Sequence, residues 1–252
     1  MNFTNGELHD YLVCPRYYFY RHVKLYSLGN IKPNEHYYNC LRYVIESILL
    51  PALANKILDP PKLEVAWFTA WMEDPISLQY EVANQSKETY YRDGVKCLNS
   101  LIDFFQDKNI VQYNRSLSYG KGNHQYTTHL DVLLIDKDKT LIPCIFTNNR
   151  PSEIQAKLNY QISAIYQYML LKDKEPITTF GIIPLQSKIE LVPTTRSIRC
   201  LSDLNDMIFS LGDELDRFNN DDYNAYQRPG NWCSTCYYKD ICKGPVYVNE
   251  NT

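Results

Sequence analysis

Apolar positions recur every three or four residues through the first hundred positions and then shift toward alternation, so a helical lobe should give way to an α/β core. Thr4-Asn5-Gly6-Glu7 has the spacing of a capping box, in which a hydroxyl and a carboxylate each satisfy a backbone N–H at a helix start. It predicts a short helix running to Val13. Cys14-Pro15 interrupts the pattern before RYYFYRHV resumes it. Leu41, Val44, Ile45, Ile48 and Leu49 mark a helix over residues 34–58, closed by Pro60-Pro61. Helices over 62–73 and 85–108 follow, the second carrying Val95, Leu98, Ile102 and Phe105 on one stripe.

Beyond Lys108 the segments 111–119, 124–135 and 140–147 are short and β-rich. Gly120-Lys121-Gly122 and Asp136-Lys137-Asp138 separate them, and HLDVLLI and TLIPCIF read as paired strands. A helix over 152–172 carries Ile154, Leu158, Ile162, Ile165 and Met169. Strands in TTFGIIPL and KIELVPT come next, then a helix over 199–218 and a polar tail. The 252 residues suit one α/β (α+β) domain: an N-terminal segment (1–32), a helical lobe (33–108), an α/β core (109–220) and a tail (221–252).

Composition narrows the class. No run approaches the roughly 18 apolar residues of a membrane span, so no membrane is expected as a partner. MNFTNGELHDYLV has neither a basic nor an apolar leader region, so the expected location is cytoplasmic, inside a host cell if the chain is viral. In a reducing compartment eight cysteines serve as thiols and metal ligands rather than disulfides. A net charge of -3 does not mark a nucleic-acid binder, although Arg16, Arg21 and Lys24 concentrate near the start. They form either a local basic patch for nucleic acid or a solvated helix face. The 22 tyrosines could stack on bases but read first as amphipathic core-edge residues. No glycine-rich phosphate loop is present, so no nucleotide cofactor is expected.

Cys233, Cys236 and Cys242 in NWCSTCYYKDIC offer three thiolates from one loop, one short of a closed tetrahedral set. Cys14, in YLVCPRYYFYRHV, could supply the fourth and tie the two ends of the chain together. Cys40, Cys97, Cys144 and Cys200 are isolated and read as core positions.

LHDYLVCPRYYFYRHV, CSTCYYKDIC and the β-β-β-α order between them resemble the RecB-like branch of the PD-(D/E)XK nucleases. The similar form is the iron–sulfur kind represented by the CRISPR-associated RecB-like exonuclease and the AddB nuclease domain. The resemblance implies a restriction-endonuclease-like core, a central mixed sheet flanked by helices. It also implies a 4Fe-4S cluster on Cys14, Cys233, Cys236 and Cys242, joining the N- and C-terminal segments. Thiolate-only ligation suits iron–sulfur chemistry, with tetrahedral zinc the competitor that spacing leaves open.

The family's catalytic set is a strand-end Asp, then acid-x-Lys on the next strand, holding Mg²⁺ or Mn²⁺ and activating water. Asp131 stands where the first acid belongs. With Pro143 as anchor, Ile145 falls at the second acid and Thr147 at the lysine; one residue of slippage gives Cys144 and Phe146 instead. Neither register restores a carboxylate or an amine. Tyr43 takes the family's helical His position with Glu46 three residues on, and Thr128 replaces the usual small residue. Gln161 matches the family's helical Gln, with Tyr166 near its aromatic. Lys157, one turn before Gln161, is the candidate for a migrated lysine, leaving Asp131 with Glu153 to hold a metal.

The expectation is a catalytically degenerate nuclease scaffold, with Mg²⁺ or Mn²⁺ chemistry dropped, that binds DNA or a protein partner in replication, recombination or repair. The alternatives are a metal-dependent exonuclease with a rearranged site and a purely structural interaction subunit. Without catalytic partners, Asp131 reads as a strand-end residue satisfied by a turn or a neighbouring amide.

Overall fold

The computed structural model describes residues 1–26, 32–77, 86–135, 139–152, 161–162, 164–165, 168–169, 179–195, 197–220 and 226–242. It is a mixed α/β structure with a central mixed sheet flanked by helices. The chain divides into two compact units that interleave along the sequence. One comprises residues 1–31, 118–128 and 202–252; the other comprises 32–117 and 129–201.

Among the described residues the strands are β1 (Asn2–Thr4), β2 (Asn109–Lys121), β3 (His124–Ile135), β4 (Leu141–Thr147), β5 (Thr179–Pro184) and β6 (Val192–Thr195). Their order is β1-β3-β4-β5-β6, with β2 paired to β3. β3 and β4 are antiparallel, as the sequence suggests, with Val132 opposite Cys144 and Ile135 opposite Leu141. β4 and β5 are parallel, from Cys144 opposite Gly181 to Thr147 opposite Pro184. β2 continues to Lys121, beyond the expected end at 119, because the turn to β3 needs only Gly122 and Asn123, with Gly122 at φ +59°.

In the larger unit, α3 (Pro33–Val44), a π-helical turn (Ile45–Leu49) and α4 (Leu50–Ala54) form one continuous helical run. It ends before the expected residue 58, and Lys56 at φ +57° turns the chain away. Pro51 has no N–H and its ring crowds the carbonyl one turn earlier, so the ladder widens into the π turn ahead of it. The extra residue rotates the stripe: Leu41, Val44, Ile45 and Leu49 are buried, but Ile48 is exposed rather than part of the core. α5 (Pro60–Met72) starts on an Asp59 cap, and α6 (Lys87–Phe105) on a Ser86 cap.

Alternation in the strands divides this unit's core. Val132, Leu134, Cys144, Phe146 and Ile183 join the α3–α6 lobe around Trp67 and Trp71. Leu133, Ile145, Phe180 and Ile182 join Ile162, Ile165 and Met169 from helical residues on the other face. Close packing sets two glycines. A Cβ on Gly94 would lie 2.2 Å from the Trp67 ring, and one on Gly181 would lie 2.4 Å from Leu191.

In the other unit, α1 (Asn5–Val13) begins with the anticipated capping box: Thr4 Oγ1 accepts from Glu7 N–H at 3.2 Å, and Thr4 N–H donates to Glu7 Oε2 at 2.7 Å. Cys14 is extended, and Pro15 opens α2 (Pro15–Tyr18), which runs into a π-helical turn over Phe19–Val23. α7 (Ile198–Asn220) overruns its expected ends at 199 and 218. Within this unit Arg228 donates to the Leu12 carbonyl, and Tyr238 Oη donates to the Tyr26 carbonyl at 3.1 Å, so the tail rests on the first helices.

Candidate functional site

Asp131 is fully buried in β3 at the point where β3 and β4 part. Their paired register ends at Val132 and Cys144, while β4 continues alongside β5. The Phe146 N–H therefore has no β3 carbonyl opposite it, and it donates to Asp131 Oδ2 at 2.6 Å. This is the neighbouring amide anticipated for Asp131, and it is half of the answer.

The other half is Arg42. Its Nη2 donates to Asp131 Oδ1 and lies 2.9 Å from Glu46 Oε1, while Nε donates to the same Glu46 oxygen at 3.1 Å. Nη1 reaches the Phe146 carbonyl at 3.4 Å. The planar fork of a guanidinium suits such a seat between two carboxylates. His129, two residues before Asp131 and so on the same side of the strand, places Nε2 3.6 Å from Asp131 Oδ1. That nitrogen is buried and has no hydrogen-bond partner among the described residues.

Burial pushes the Asp131 carboxyl above its usual range, against the opposing pull of Arg42, the Phe146 N–H and His129. Burial works to lower the Arg42 guanidinium, but the Asp131 and Glu46 carboxylates outweigh it and hold the pKa raised. Glu46, His129 and Asp131 offer ligand atoms all within 4.8 Å of one another.

The remaining expected positions sort clearly. Ile145 and Cys144, the second-acid positions of the two registers, are both buried, and burial raises the Cys144 thiol, so neither register places a carboxylate on β4. Tyr43 is 63% exposed; Arg42, one position earlier, is the residue that faces Asp131. Gln161 Nε2 donates to the His129 carbonyl at 2.7 Å, so it braces β3. Lys157, Glu153 and Tyr166 lie outside the described residues. Arg42 and His129 went unrecognised in the sequence, although Arg42-x-x-x-Glu46 on a helix and His129-x-Asp131 on a strand carry the spacings that align them.

A second grouping imitates a nucleophilic triad. Cys40 Sγ lies 3.5 Å from His36 Nε2, which lies 3.1 Å from Asp74 Oδ1. Both partners meet the same ring nitrogen, so the imidazole cannot relay between them. Burial also pushes the Cys40 thiol up to about 11, which leaves it protonated near neutrality.

Cys14, Cys233, Cys236 and Cys242 all belong to the smaller unit, and none is in a disulfide. Three of their sulfurs accept N–H groups: Cys14 from Arg228 at 3.5 Å, Cys236 from Tyr238 at 3.4 Å and Cys242 from Gln227 Nε2 at 3.4 Å. Burial raises the Cys242 thiol; Arg16 works to lower it, and Cys14 and Cys236 add to the rise. A donor set of sulfurs hydrogen-bonded by N–H groups fits a thiolate-bound centre. The four sulfurs are not drawn together to ligand spacing, and Glu46, His129 and Asp131 are the one such compact set among the described residues. Of the basic residues beside them, Arg21 is paired with Asp10 at 3.0 Å and Lys24 Nζ lies 5.1 Å from the centre of the Phe19 ring.

A groove of about 930 Å³ opens at the carboxyl ends of β4 and β5, lined by Lys32, Tyr38, Tyr90, Lys96, Asn149 and Gln186 among others. Tyr38 sits one helical turn before Arg42, so α3 borders both the groove and the buried ion cluster.

No protein-family model matches the chain, and no curated protein matches it. Among solved structures, the one described as "Crystal structure of SSO0001" is similar over 82% of this chain and 95% of that chain, at 12% identity and a TM-score of 0.35. No helix among the described residues is long and apolar enough to cross a membrane.

Proposed function

We propose that this chain is a catalytically degenerate RecB-like nuclease-fold protein, stabilised by a 4Fe-4S cluster, that binds DNA without cutting it. The observation that carries this reading is the Arg42 guanidinium seated on Asp131 and Glu46, with no carboxylate or amine side chain contributed by β4. Hydrolysis of a phosphodiester by this superfamily's chemistry needs a hard cation on those oxygens, to polarise phosphate and acidify water. A guanidinium neutralises the carboxylates and cannot bind and acidify water as a metal ion does. The groove at the ends of the parallel strands supports a binding role, because crevices there are where open α/β sheets take ligands.

Cys14, Cys233, Cys236 and Cys242 would hold the cluster, with zinc as the alternative occupant. Four thiolates supply a staple between residue 14 and the tail, closing a loop over most of the chain. The expected preparation is brown when purified without oxygen and bleaches on reduction. A colourless protein with stoichiometric zinc rejects the iron–sulfur assignment.

DNA affinity should fall with salt and need no Mg²⁺. Metal-dependent trimming of DNA by the purified, cluster-loaded chain, abolished by Asp131→Ala, would overturn the non-cutting reading. The convergence of Glu46, His129 and Asp131 is the observation that favours that second reading, an exonuclease with a rearranged site. The net charge of -3 favours a third, a protein-interaction subunit, which predicts a stable complex and no DNA affinity.

A further inference from the structure

We propose that Arg42 is a tethered counter-cation standing in a latent divalent-metal site formed by Glu46, His129 and Asp131. The inference rests on the reading of that cluster as non-cutting and adds what keeps metal out of it.

Three features converge. First, the ligand atoms of these residues all lie within 4.8 Å of one another. Opposed ligands of an octahedral cation bound at about 2.1 Å stand about 4.2 Å apart, so sub-ångström adjustment closes the set. Second, His129 Nε2 is a buried atom with no hydrogen-bond partner among the described residues, and it lies 3.6 Å from Asp131 Oδ1. Third, a positive group is already lodged there, with Arg42 Nη2 bridging the two carboxylates from different elements. Two carboxylates and one imidazole suit Mn²⁺ or a neighbouring transition metal better than Mg²⁺, which prefers oxygen throughout.

The guanidinium and a metal ion compete for the same oxygens. Arg42 holds its place by covalent attachment to α3, reinforced by Glu46 one turn along the same helical run. It is a positioning and excluding residue, with no role in touching a substrate.

The experiment is a Mn²⁺ titration followed by the electron paramagnetic resonance of the free ion, on the wild-type chain, Arg42→Ala, Arg42→Lys and Arg42→Ala/Asp131→Asn. Arg42→Ala is expected to take up one Mn²⁺ per chain at least about tenfold more tightly than wild type, and the double variant to lose that gain. Arg42→Lys keeps the charge and should exclude Mn²⁺ as wild type does. Should Arg42→Ala fold poorly alone, Mn²⁺ is expected to restore its folding, and failure to do so counts against the site. Wild-type binding as tight as that of Arg42→Ala, or no gain in the folded variant, overturns the inference. Cleavage of DNA by the wild-type chain would instead defeat the non-cutting reading, so the two fail on different measurements.

Discussion

Arg42→Met removes the guanidinium but keeps an unbranched side chain of similar reach. It leaves the Asp131 carboxylate, which is 0% exposed, with the Phe146 N–H and the His129 ring as its remaining partners. Removing one member of a buried ion pair costs about 3–5 kcal/mol, because the other charge remains out of water. Arg42 is itself 30% exposed and one amide bond to Asp131 survives, which places this case near 3 kcal/mol, at the lower end of that range. For a chain of this size that corresponds to a fall of roughly 6–12 °C in unfolding temperature.

The loss should depend on pH with a definite sign. Burial raises Asp131, so the folded state holds its proton more tightly than the unfolded state. Such a group makes folding less favourable as pH rises through the window between its unfolded and folded pKa values, and more favourable as pH falls through it. Without Arg42 that window widens upward. The penalty of Arg42→Met should therefore be largest near neutrality and shrink on acidification, when a protonated Asp131 needs no counter-charge. Urea unfolding at about pH 7.5 and about pH 5 measures it. The emission of Trp67 and Trp71 reports on the unit that contains the cluster. Arg42→Met/Asp131→Asn removes the stranded charge and should recover most of the loss. A single variant as stable as wild type at neutral pH, or a penalty that grows on acidification, would refute the reasoning.

Gly94→Ala sets helix propensity, a gain of about 1 kcal/mol, against overpacking of about 1–3 kcal/mol. The new methyl would meet a Trp67 ring that is fully buried, with its N–H tied to the Tyr91 carbonyl at 2.9 Å, so the melting temperature should fall; a rise would contradict the packing. Thr4→Ala breaks the capping box of α1 and should cost about 1 kcal/mol in thermal unfolding, with no change expected if the box is unformed in solution. Cys97 is buried and pushed up to about 12, and burial raises Cys144 further. Iodoacetamide at about pH 8 should therefore spare both in the folded protein, and mass-spectrometric detection of their alkylation would show that the core opens.

Much of the fold was legible because it is local. The Thr4–Glu7 box, the stripe on α6, the β3–β4 pair and the long final helix follow from spacings within a few residues. The misreadings are also physical. Ile48 looks like a core residue at helical spacing, but the π turn before Pro51 rotates it outward. Reading Asp131 as a strand-end residue anticipates its amide partner, although β3 runs on to Ile135; its ionic partner is not legible because Arg42 is 89 positions away.

The amino-acid order by itself determined most of the described helices and strands, though not β1, and that β4 carries no carboxylate or lysine beside Asp131. Those are properties of neighbours along the chain. Only the tertiary structure decided what Asp131 does instead. A carboxylate on a strand and a guanidinium on a helix meet only after the lobe and sheet share a core, and their pairing has force only there. Exclusion of water makes an uncompensated charge at Asp131 costly, and Arg42 is the cation that packing brings to it.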